Sequence, residues 1–147
     1  MLRVRCQATA TLDAKGRLAL PAVLRRALDK HDVTSLVVTF HGGSLWGWTP
    51  EVFEQTIEGP ISEQDPFDPA VAQFSHAILA PAQELDIDGQ GRIRVPPMLR
   101  DLAGLEKEVV VNSLGNRIEL WDREKWDAHF ARCLQAAPSL TGMPRTK

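Results

Sequence analysis

The chain has few of the residues on which metal, disulfide and membrane chemistry depend. Of its 147 residues only two are cysteine, Cys6 and Cys133, far apart and without metal-ligand spacing. They read as reduced thiols of a cytosolic protein rather than a disulfide framework. His31, His41, His76 and His129 are scattered, and none lies four residues from another His. A zinc site is therefore not expected. No apolar run approaches the ~20 residues that a membrane helix needs. Met1-Leu2-Arg3-Val4-Arg5 lacks the apolar stretch of a secretory signal, so a cytoplasmic protein without membrane attachment is expected.

Catalytic signatures are missing too. There is no Gly-x-Ser-x-Gly, no phosphate loop ending in Lys-Ser/Thr and no paired-cysteine motif, so neither an enzyme nor a cofactor is expected. Gly89-Gln90-Gly91-Arg92 lacks the third glycine of a dinucleotide loop and leads into a strand rather than a helix.

Charge is unevenly spread. Residues 49–75 hold six carboxylates and no Lys or Arg, residues 1–30 carry a net +5, and the whole chain is −2. A near-neutral total is unusual for a nucleic-acid binder, but phosphate contacts respond to the local field. The acidic stretch reads most simply as a solvated face, or else as an intersubunit counterpart to the basic part.

What the chain does have, it has twice. Asp13-Ala14-Lys15-Gly16-Arg17-Leu18-Ala19-Leu20-Pro21-Ala22-Val23-Leu24-Arg25 returns as Asp88-Gly89-Gln90-Gly91-Arg92-Ile93-Arg94-Val95-Pro96-Pro97-Met98-Leu99-Arg100. Leu36-Val37-Val38 matches Val109-Val110-Val111, and Trp48 with Phe53 matches Trp121 with Trp126. A duplicated unit packs as a pseudo-symmetric pair, and what one copy binds is bound twice. At about 45–50 residues neither copy buries a sufficient core alone, so the pair must interlock.

Each copy reads as strand, turn, strand, short helix, hairpin, helix. Residues 8–12 and 84–88 alternate as half-buried strands. Gly16 and Gly91 supply turns, and Pro21 and Pro96-Pro97 open helices that carry Leu24 with Leu28 and end ahead of Gly104. Hairpins follow across Gly42-Gly43 and Gly115-Asn116. Thr49 and Asp122 are expected helix caps. Trp126, Phe130 and Leu134 form an i, i+4, i+8 stripe that suits core or subunit contact better than a cofactor box. Residues 59–69 are too rich in Pro and acid to read as regular, and a short helix follows with Val71, Phe74 and Ile78. The resulting division is repeat 1 over 5–52, an acidic connector with a short helix over 53–79, and repeat 2 over 80–126. Residues 127–147 form the end of the last helix and a tail expected to be disordered.

The repeated turn carries the chemistry. An Asp at its start hydrogen-bonds turn amides, and an Arg just after the Gly presents a planar fork suited to phosphate or to guanine O6 and N7. Asp13, Lys15 and Arg17 form one such set; Asp88, Arg92 and Arg94 form the other. Two readings stay open on spacing alone: each Asp and Arg bridge their own turn, or each Arg is displayed outward, as alternation with Leu18 and Ile93 suggests.

The two Asp-x-x-Gly-Arg elements, each followed by alternating apolar residues and Pro, resemble the repeats of the MraZ family, related to AbrB-type transcription factors. Asp65-Pro66-Phe67-Asp68, Leu102-Ala103-Gly104-Leu105 and Gly115-Asn116-Arg117-Ile118-Glu119-Leu120-Trp121 also look like that family, over roughly residues 8–130. The resemblance implies an α+β, mainly β fold. In it two tandem AbrB-like repeats make a pseudo-symmetric swapped-hairpin, double-psi-like β-barrel with short flanking helices. It further implies ring-shaped homo-oligomers and binding of double-stranded DNA at repeated G-rich promoter boxes of a cell-division and cell-wall gene cluster. Nucleoid association follows from that. DNA contact maps onto Asp13, Lys15, Arg17, Asp88, Arg92 and Arg94. The chain departs from the family at Arg3-Val4-Arg5-Cys6, where an aromatic and Gly are usual, and has no Lys in the second loop matching Lys15. The alternatives are a ring-forming protein-interaction scaffold and an antitoxin-like AbrB module.

Overall fold

A computed structural model of the protein describes residues 2–136; the expected disordered tail lies outside the described residues. Eight strands and six α-helical segments follow the duplicated plan. The first copy runs β1 (Val4–Thr11), β2 (Arg17–Ala19), α1 (Ala22–Lys30), β3 (Ser35–His41), β4 (Ser44–Trp48) and α2 (Pro50–Phe53). The connector contributes α3 (Gly59–Ser62) and α4 (Pro69–Phe74). The second copy runs β5 (Gln83–Asp86), β6 (Arg92–Arg94), α5 (Pro97–Ala103), β7 (Glu108–Gly115), β8 (Arg117–Asp122) and α6 (Arg123–Ala136). The fold is mainly antiparallel sheet with several helices, an α+β protein.

The copies exchange strands. A six-stranded sheet has the order β1-β7-β8-β4-β3-β5, so β1 of the first copy pairs with β7 of the second. Reciprocally, β5 of the second copy pairs with β3 of the first. The copies also meet at β4 and β8, with Leu45 opposite Leu120, and in a separate two-stranded ribbon of β2 and β6. Each copy thus completes the other's sheet, which is how two units too small to fold alone share one interior.

That interior draws on matching positions. Leu18 and Ile93, Leu20 and Val95, and Leu24 and Leu99 are all buried, as are Leu36, Leu45, Val109 and Val111. A second cluster of Trp48, Val52 and Phe53 lies under the connector, with Ile57, Leu79 and Ala82 packed on it. Thr49 caps α2 as expected, its hydroxyl accepting from the Val52 amide at 3.3 Å.

Three elements differ from the sequence reading. β1 begins at Val4 rather than residue 8, because Val4, Cys6 and Ala8 continue the inward set down to Val4 opposite Gly115. Asp122 turns its carboxylate to the Glu106 amide at 3.3 Å. The connector is helical over Gly59–Ser62, where irregular backbone was expected, while residues 63–68 are irregular as expected. A π-turn over Glu54–Glu58 joins α2 to α3, and another over Ser75–Leu79 extends α4. The first resolves the Pro60 problem: proline donates no hydrogen bond and clashes with the carbonyl four residues back. Widening the helix here lets Gly59 bond Glu54 at i−5 and carries the chain past the proline. Residues 50–62 and 69–79 thereby form a helical hairpin.

Candidate nucleic-acid interface

The two Asp-Gly-Arg turns are built by the same hydrogen bonds. In the first, Asp13 Oδ1 accepts from the amides of Lys15 and Arg17, both at 2.9 Å. Its Oδ2 accepts from Arg17 Nε at 2.7 Å. In the second, Asp88 Oδ1 accepts from the Gln90 and Arg92 amides at 2.9 Å, and Oδ2 from Arg92 Nε at 2.9 Å. The backbone closes each turn alike, with Gly16 bonded back to the Asp13 carbonyl and Gly91 to that of Asp88.

The two sequence readings therefore turn out to be compatible. Asp and Arg do bridge their own turn, but through Nε, so the terminal guanidinium nitrogens stay free of the carboxylate. The Arg17 and Arg92 side chains keep 37 % and 29 % of their surface exposed. The carboxylate acts as a fixed socket that aims the guanidinium.

Three donors converging on one carboxylate favour its charged form. The Arg17 amide is the largest cause, followed by the Arg17 side chain, and together they hold Asp13 down at about 2. Asp88 is lowered for the same reason, chiefly by the Arg92 amide. Depressed folded-state values mean that the turns contribute stability above the ordinary carboxylate value of 3.8 and lose it as pH falls toward about 2. In the Asp13→Asn, Asp88→Asn variant, acid unfolding followed between these limits should show a shallower pH dependence than wild type. An unchanged slope would show that neither turn is linked to folding.

The turns are interlocked across the copies. The Gly16 carbonyl accepts from Val95 and the Gly91 carbonyl from Leu20, at 2.8 and 3.0 Å. Gly16 has φ +81°, and a Cβ there would lie 2.8 Å from the Val95 carbonyl oxygen. Gly91 has φ +74°, and its Cβ would meet Arg25 Cδ at 2.3 Å. Only glycine meets both demands.

In the ribbon, Arg17 pairs with Arg94, Leu18 with Ile93, and Ala19 with Arg92. Leu18 and Ile93 point into the core, so Arg17, Arg92 and Arg94 share the outer face. Arg94, read from the sequence as a neighbour of Arg92, reaches the other loop, where its Nε donates to the Lys15 carbonyl at 3.1 Å. The first turn thus gathers Lys15, Arg17 and Arg94.

Sequence reasoning left two residues out. Arg25 packs against Gly91 and Arg100 against Gly16, each helix arginine crossing to the other copy's turn. Both stood in plain view as the last identical position of the repeat; what hid them was that their target lies in the opposite copy. Arg100 Nε is buried with no hydrogen-bond partner. The described residues contain no cluster of three or more His, Cys, Asp or Glu suited to a metal ion, and no helix long and apolar enough to cross a membrane.

Comparison with known proteins finds the same duplication of the chain. A family model described as "MraZ protein, putative antitoxin-like" matches residues 7–73 and again 78–146. The chain is 37 % identical over 126 residues to the "Transcriptional regulator MraZ" of Syntrophobacter fumaroxidans, covering 86 % of this chain and 83 % of that one. The protein of the same name from Hydrogenovibrio crunogenus is 37 % identical over 128 residues, with 86 % and 84 % covered. That from Thiobacillus denitrificans is 35 % identical over 136 residues, with 90 % and 92 % covered. Among solved structures, the solution structure of PHS018 from Pyrococcus horikoshii is 16 % identical with a TM-score of 0.32, over 82 % of this chain and 89 % of that one. Matched twice by one family model and along most of its length by these relatives, the chain belongs to the MraZ family.

Proposed function

We propose that the protein is a transcriptional regulator that binds double-stranded DNA through the outer face of the β2–β6 ribbon. It is a binding protein rather than an enzyme, and it works in the cytoplasm on the nucleoid. The observation that carries the reading is the like-charge pairing in that ribbon. Arg17 stands directly opposite Arg94, like charges that repel across the strands. Asp13 offsets the Arg17 charge whereas Arg94 bonds only a carbonyl, so the face stays net positive and open to a further anion. Placing charge where the fold is penalised for it is expected at functional positions. Arg17 and Arg92 contact the DNA, Lys15 and Arg94 steer it, and Asp13 and Asp88 shape the turns. The relatives' shared name, transcriptional regulator, supports the same reading.

A single subunit offers few cationic contacts, so its binding is weak and salt-sensitive. Assembly of the swapped-hairpin barrels into a homo-oligomeric ring repeats the ribbon against repeated G-rich promoter boxes and raises affinity through effective concentration. The gene cluster concerned is one of cell division and cell-wall synthesis.

A salt titration of promoter binding tests this. The logarithm of the affinity should fall linearly with the logarithm of salt concentration, by about 0.9 per phosphate neutralised. A flat dependence would favour the scaffold reading, in which exposed apolar surface recruits protein partners and DNA is incidental.

A further inference from the structure

The two turns are built alike but armed differently. Lys15 and Gln90 hold the same place in them, each with its amide bonded to Oδ1 of the turn's Asp at 2.9 Å. Both are exposed, so each side chain reaches outward from a fixed backbone. Yet one is a cation and the other a neutral amide.

The ribbon widens the difference. Ala19 and Arg94 are equivalent positions of the repeat, and Arg94 reaches back to the first turn through the Lys15 carbonyl at 3.1 Å. Arg92 of the second turn instead stands opposite Ala19. The first turn thus holds Lys15, Arg17 and Arg94 against Asp13, whereas the second holds Arg92 against Asp88. Arg100 beside Gly16 and Arg25 beside Gly91 add one cation to each turn and leave the difference as it was. The second turn is therefore two charges poorer, and draws less on the sequence-independent attraction of phosphates.

We propose that Gln90 is a base-reading residue and that it recognises adenine in the major groove. The inference rests on the reading of the β2–β6 ribbon as the DNA-binding face, and names what the second turn distinguishes there. A two-stranded ribbon fits the major groove, which is ~12 Å wide. Lysine brings donors alone, which suits Lys15 to the phosphate field. A glutamine amide carries a donor and an acceptor in one plane. Adenine presents the matching pair, so Gln90 Nε2 donates to N7 while Oε1 accepts from the N6 amino group. Guanine offers acceptors at both N7 and O6, and would set Oε1 against another acceptor. A turn short of charge gains its affinity from such directed bonds. The Asp88 bond to the Gln90 amide fixes the point from which the side chain reaches.

Single replacement of each adenine by 7-deazaadenine, in a duplex carrying the repeated promoter boxes, tests this with the full-length protein. The analogue lacks the N7 acceptor and keeps its Watson–Crick edge. Wild type should show an adenine position at which affinity falls about 5-fold or more. Gln90→Ala should bind the unmodified duplex about 5-fold or more weakly, and should no longer respond to the analogue at that position. Its salt dependence should match wild type, because no charge is lost. Lys15→Ala, by contrast, should weaken binding to every duplex alike and make the salt slope shallower by about 1. Gln90 is exposed, so its unfolding midpoint should not move. A wild type indifferent to 7-deazaadenine everywhere overturns the proposal, as does a Gln90→Ala protein that keeps the wild-type response. Both results leave DNA binding by the ribbon standing. Wild-type affinity in the Arg17→Ala, Arg92→Ala protein would sink both readings.

Discussion

Replacing Arg17 and Arg92 together by Ala is expected to lower affinity for a repeated promoter fragment at least about 100-fold, equivalent to about 2.7 kcal/mol. A well-placed bidentate arginine contact is worth about 1–3 kcal/mol, and the substitution removes two from every subunit. It does further harm by releasing Asp13 and Asp88, whose carboxylates now face the phosphates without their guanidinium partners. The oligomer mass should not change, because both side chains stand on the outer face of the β2–β6 ribbon and their removal leaves its inner packing in place. The Arg17→Lys, Arg92→Lys variant separates charge from geometry. Lysine keeps the positive field but has no Nε fork for the Asp socket, so binding should recover only in part. Retained wild-type affinity in the double Ala variant, measured by gel shift at fixed salt, would remove these residues from the interface.

The second large effect concerns stability. Leu18 and Ile93 face each other across the ribbon, 0 % and 1 % exposed, and hold its inner face against the shared core. Either residue changed to Ala should cost about 2–5 kcal/mol through lost burial and the cavity left behind. Because the two touch, the double variant should cost less than the sum of the singles. Denaturant unfolding at one fixed protein concentration reads this directly. Strict additivity would mean that the ribbon strands pack independently, contrary to an interlocked pair. The functional consequence follows from the same geometry: the outer arginines are aimed by a two-stranded element whose rigidity comes from these inner residues.

Much of this was legible because the local signals agree with the final fold. Asp13, Gly16 and Arg17 specify their turn by hydrogen bonds within five residues, and Asp88, Gly91 and Arg92 repeat it. Pro21, Pro97 and Thr49 mark helix starts by chemistry that needs no distant partner. What escaped was whatever depends on the other copy. Nothing local says that β1 pairs with β7, that Arg94 bonds the Lys15 carbonyl, or that Arg25 lies against Gly91. Pro60 misled for another reason. Its usual effect on a helix is to break it, and only a widened turn of backbone lets the helix pass. The expected Asp122 cap gave way to a contact with Glu106 that sequence spacing does not reveal.

The central claim is that the Asp-held arginine tips of both copies meet DNA together. A structure of the oligomer bound to a fragment carrying repeated promoter boxes tests it most directly. The guanidinium groups of Arg17 and Arg92 should lie within hydrogen-bonding distance of phosphate or guanine edges, with the Nε bonds to Asp13 and Asp88 still made. DNA seated on any other surface, with both arginines turned to solvent, would contradict the account.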